Sequence, residues 1–126
     1  MLKKITVLII LTFTSSSIAQ EGALLSDLAL PLMDGLVENR DAALLFDSPD
    51  GRIINAEASG AVRAKEVNDF YRLVLPSLGW KIDMNISECD VEAQYCLFAK
   101  REQESLTLNV IENSAGIKVL FSLSPN

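Results

Sequence analysis

The chain has 126 residues, 17 of them acidic and 11 basic for a formal charge of −6, and it contains no histidine. That length holds one small domain. An acidic chain without a basic cluster is repelled by phosphate backbones and anionic lipid heads, which disfavours nucleic acid and membrane surfaces as partners.

Met1 to Lys4 carry two lysines, Ile5 to Phe13 is an almost unbroken apolar run, and Ser17-Ile18-Ala19 ends it on the small residues a signal peptidase inspects. This predicts a signal peptide over residues 1–19, cut before Gln20, and hence a periplasmic or secreted location. The apolar run is shorter than the ~20 residues of a spanning helix, so no stable membrane insertion is expected after cleavage. Residues 20–42 are apolar but irregular, broken by Pro31 and Asp34-Gly35, and read as an amino-terminal arm. Leu24, Leu25, Leu28, Leu30, Leu32, Met33, Leu36 and Val37 are more apolar than a free arm should be. The arm either folds back on the domain or meets a partner.

A single domain is expected over residues 43–126. Residues 43–48 and 52–58 flank Ser48-Pro49-Asp50-Gly51, whose Pro, Asp and Gly a reverse turn selects, and so predict a β-hairpin. Ile54, Ala56 and Ala58 share one face of its second arm, small enough to let a neighbour pack closely. From near Ala61, the residues Val67, Phe70, Tyr71, Val74 and Leu78 recur at three- and four-residue intervals, the mark of a helix with one buried face. That helix is the expected neighbour. Phe70 falls on its inward phase, and Tyr71 borders it with a hydroxyl expected to stay wet. Pro76 cannot donate to the carbonyl of Arg72, so the last turn should loosen there. Gly79 offers the left-handed conformation that closes helices. Trp80 then opens a strand in which Trp80, Ile82 and Met84 alternate with Lys81, Asp83 and Asn85.

Residues 95–101 and 105–111 read as two further strands, the second with Leu106, Leu108 and Val110 on one face. After a turn at Asn113 to Gly116, a last strand places Ile117, Val119, Phe121 and Leu123 together. Alternation of this kind marks an antiparallel sheet with one face covered. The expected fold is therefore α+β: about five to six antiparallel strands in the order β-β-α-β-β-β-β, with one main helix across one face.

The run Phe70-Tyr71-x-x-x-Leu75-Pro76-x-Leu78-Gly79-Trp80, preceded by Gly51-Arg52-Ile53-Ile54-Asn55-Ala56-Glu57-Ala58, resembles a recurring pattern in small exported bacterial proteins and lipoproteins of unassigned function. The resemblance spans roughly residues 43–123. It implies export and this fold, and no catalytic or ligand-binding residue. The chain departs from the pattern in lacking a lipoprotein cysteine and in adding a loop between Cys89 and Cys96.

In an oxidising compartment, two cysteines seven positions apart without further Cys or His ligands read as a disulfide rather than a zinc or redox site. Asp83-x-Asn85-x-Ser87 copies the start of a calcium-binding loop, but the sixth and twelfth positions are Glu88 and Gln94 where such a loop needs Gly and Glu. A non-standard cation site from Asp83, Glu88, Asp90 and Glu92 competes with a solvated acidic loop, the commoner fate of like-charge runs. No histidine means no Ser-His-Asp or Cys-His nucleophile, and there is no phosphate-binding glycine motif. No enzyme activity and no cofactor are therefore expected. Two functions remain. One is a non-catalytic module binding another cell-envelope protein by a sheet edge, the uncovered sheet face or the acidic loop of Glu88, Asp90 and Glu92. The other is a small-ligand carrier or sensor with a pocket between helix and sheet near Phe70, Tyr71 and Trp80.

Overall fold

The computed structural model describes residues 25–84 and 89–126, so the leader, the cut before Gln20 and Glu88 lie outside the described residues. Among these residues seven antiparallel strands build one sheet: β1 (Val37–Glu38), β2 (Leu44–Ser48), β3 (Gly51–Gly60), β4 (Lys81–Ile82), β5 (Tyr95–Arg101), β6 (Glu104–Asn113) and β7 (Gly116–Pro125). One helix, α1 (Ala64–Ser77), follows β3, and a single 3-10 turn at Arg40–Ala42 separates β1 from β2. The path across the sheet is β1-β3-β7-β6-β5-β4, with β2 beside β3 on the same flank as β1. This is the expected α+β order with one short strand added from the arm.

The period-2 pattern explains the core. Ile54, Ala56 and Ala58 of β3, Leu106, Leu108 and Val110 of β6, and Ile117, Val119, Phe121 and Leu123 of β7 are all buried on one face. Cross-strand pairs such as Ala56 with Phe121 and Leu108 with Phe121 stack that face in register. Over it lies α1, resting on β4, β5 and β6. The arm completes the cover: Leu25, Leu28, Leu30 and Leu36 join the same core, and Ser26 Oγ donates to the Glu38 carboxylate at 2.8 Å. The arm therefore folds back. It is also the arm, not the helix, that comes closest to the small-residue strand, because a Cβ on Gly60 would collide with the backbone carbonyl of Gly35.

Helix phase is the main departure from the sequence reading. Ala64, Val67, Asn68, Tyr71 and Leu75 face inward, so the buried stripe is rotated toward Tyr71 and away from Phe70 and Val74, which are half-buried. Tyr71 is completely buried. The arm supplies the reason: it gives the phenol hydroxyl an acceptor in the Pro31 carbonyl at 2.9 Å, so the polar tip need not reach water.

Pro76 sits inside the last turn, where the helix tolerates it because it ends at Ser77. Gly79 takes φ +86°, the Gly79 N–H donates to the Pro76 carbonyl and the Trp80 N–H to the Leu75 carbonyl, both at 3.1 Å. These are the two bonds of a Schellman stop, and Leu75 and Trp80 are the buried pair that accompanies it. The strand after Trp80 is shorter than its alternation suggested. Only Lys81 and Ile82 pair with β5, Ile82 is half-buried, and Met84 is 70 % exposed.

Candidate functional site

Phe70, Tyr71 and Trp80 were the aromatic residues that could line a pocket, and the fold uses them as packing. Tyr71 stands edge-on to Phe70 with ring centroids 4.9 Å apart and to Phe121 at 5.4 Å, filling the space between helix and sheet. Burial pushes the Tyr71 phenol up to about 12, a shift the Met33 backbone partly opposes. Trp80 is buried under the Arg101 guanidinium, whose carbon lies 4.3 Å from the ring centroid, and Arg101 also donates to the Leu78 carbonyl at 3.1 Å. The indole N–H has no acceptor among the described residues. Five surface cavities among the described residues are lined by other residues than Phe70, Tyr71 and Trp80.

The cysteine loop is built differently. Cys89 and Cys96 are bonded, with Cα atoms 5.7 Å apart, and Cys96 belongs to β5 opposite Asn109 of β6. The staple thus ties the loop to the sheet at one end. At that same end the Gln94 N–H donates to the Val110 carbonyl at 2.8 Å, prolonging the ladder past Tyr95, and at the Cys89 end the Asp90 N–H donates to Asn109 Oδ1 at 3.1 Å. Between these anchors the chain turns tightly: the Ala93 N–H donates to the Asp90 carbonyl and the Glu92 N–H to Asp90 Oδ1, both at 3.0 Å. The Asp90 carboxylate therefore shapes its own turn. Val91 stands at the tip, 99 % exposed, with exposed Asp90 and Glu92 on either side. Sequence reading singled out the acids here and missed the valine, because nothing in one sequence tells an exposed valine from a buried one.

The sheet face opposite the helix is uncovered and mixed. Asn55, Thr107, Asn109 and Ser122 alternate there with half-exposed Ile53, Phe98 and Leu120, and Ser122 Oγ donates to Asn55 Oδ1 at 3.0 Å. Among the described residues no three acidic or cysteine side chains converge as metal ligands, and no helix is long and apolar enough to cross a membrane. The ion pairs Arg52 with Glu104, Arg63 with Glu66 and Lys65 with Asp69 lie on the surface, where such pairs contribute little. Comparison with family models, with curated proteins and with solved structures finds no match to this chain.

Proposed function

We propose that this chain is an exported, non-catalytic module that binds another cell-envelope protein through the stapled loop between Cys89 and Cys96. The observation that carries this reading is Val91. A fully exposed apolar side chain on a backbone fixed by a disulfide, two sheet anchors and an Asp turn offers a contact whose ordering cost is already met. Asp90 and Glu92 beside it suit an apolar pocket with a basic rim, and opposite charge there speeds encounter more than it adds affinity. The small-ligand reading needs a cavity between helix and sheet, and the rings of Tyr71, Phe70 and Phe121 occupy that space.

A photo-crosslinking residue placed at position 91, in cells that export the full chain, tests the proposal. One envelope protein should be captured reproducibly, and an excess of purified wild-type chain should lower its yield at least tenfold where the same excess of Val91→Asp does not. Capture that is unchanged when the crosslinker is moved to the helix surface at Leu73 would show that the loop has no special part.

A further inference from the structure

The two flanks of the sheet are defended unequally. On the β4 side, Lys81 stands opposite Lys100, placing two like charges at the edge, and Asp83 adds a backbone bond to Phe98. The β2 side has no such guard. Leu44, Leu45 and Phe46 are three consecutive apolar residues, 55 %, 56 % and 57 % exposed, on a strand whose one partner among the described residues is β3. From Ala42 to Phe46 there is no charged residue.

Register fixes which backbone groups this edge offers. The β2–β3 connection has only Pro49 and Asp50 between the pair Ser48 and Gly51, so that pair must exchange both hydrogen bonds. Phe46 with Ile53 and Leu44 with Asn55 then do the same, and Leu45 and Asp47 turn their N–H and C=O outward. Side chains alternate accordingly. Leu45, opposite buried Ile54, leans to the helix side, while Leu44 and Phe46 lie on the open face near Ile53.

We propose that a second copy of this chain pairs with this edge, β2 against β2, antiparallel about a twofold axis at Leu45. In that register Leu45 faces its own counterpart and the two exchange both backbone bonds. Leu44 meets the partner's Phe46 twice on the open face, and Asp47 meets the partner's Ala43. Leu44, Leu45 and Phe46 are each covered by a large apolar residue, and no acid faces an acid. Shifting by one step either way sets Asp47 against Asp41 or against Leu45, which makes the twofold at Leu45 the register that charge and burial both select. The result is one continuous sheet with both helices on the same side. It leaves the stapled loops free, so it stands independently of the partner-binding proposal. Five-residue strands bury an area at the low end for stable complexes, well under ~1,200 Å², so the pairing is concentration-dependent.

Sedimentation of the purified, disulfide-intact chain from roughly 1 to 500 µM should show a monomer converting to a dimer, as expected of a weak interface. Leu45→Lys, checked for native circular dichroism, should remain monomeric over that range, and Val91→Asp should dimerise as wild type does. Leu45→Cys gives a second measure. Facing Cα atoms in a doubly bonded pair lie about 5.5 Å apart, within disulfide reach, so mild oxidation should link two copies at Leu45→Cys and far less at Leu73→Cys on the helix. A monomer at every concentration, as a module reserved for a foreign strand would be, overturns the proposal. So does a dimer that Leu45→Lys leaves intact, or equal crosslinking at both cysteine positions.

Discussion

Tyr71 shows how one side chain ties three parts of the chain together. It belongs to α1, its ring meets Phe121 of β7, and its hydroxyl donates to Pro31 of the arm. Because burial raises its pKa to about 12 while the unfolded phenol titrates near 10, the native state holds the proton more tightly. The contribution is complete below pH ~10 and is lost as pH rises through ~12, amounting to roughly 3 kcal/mol. Tyr71→Phe should flatten that alkaline loss in denaturation curves taken between those pH values, while costing about 1 kcal/mol at neutral pH from the missing hydrogen bond. An unaltered alkaline profile in the variant would refute this account. Sequence periodicity pointed at the Phe70 side of the helix because both aromatics fit a three-and-four spacing. What decides between them is the arm, whose fold-back no local pattern encodes.

At the scale of elements, strands were the most legible and the edges the least. The alternation in β3, β6 and β7 states directly which side is buried, and the Pro-Asp turn and the Gly79 stop are local chemistry that a sequence displays. β2 is legible as a strand, yet its Leu-Leu-Phe reads like a core strand, and only the sheet order reveals that it has one neighbour among the described residues. The alternation of Trp80, Ile82 and Met84 overstated β4 for a related reason: its ladder with β5 has the pairs Lys81 with Lys100 and Ile82 with Ala99, and Asp83 adds a single bond to Phe98. The candidate site was half legible, since the cysteine spacing gave the staple and the acids, but the exposure of Val91 depends on anchors at Asn109 and Val110 from another strand. The staple itself has a measurable weight. Closing so short a loop contributes about 2.5 kcal/mol in the chain-entropy model, so Cys89→Ser with Cys96→Ser should lower the urea midpoint by about 1 M or more while leaving the sheet's circular dichroism intact. An unshifted midpoint would mean that the loop is held by its sheet anchors alone.

For the molecule as a whole, the decisive feature is where the last strand goes. β7 lies between β3 and β6, so Ile54 waits for Leu123 and Gly60 for Ile117, partners more than half the described chain away. Until β7 arrives, β3 has only the edge strands beside it, and the inner faces of the two halves have nothing to join them. Folding is thus a single late event, slow because its central contacts are the most distant ones along the chain. A chain ending before Gly116 should show no cooperative melting transition, although it retains α1, the arm and six of the seven described strands in full. For a chain exported as an extended thread, as the proposed function implies, this topology would work as a timer: nothing in the first part of the thread would lock into shape while β7 is still on the far side.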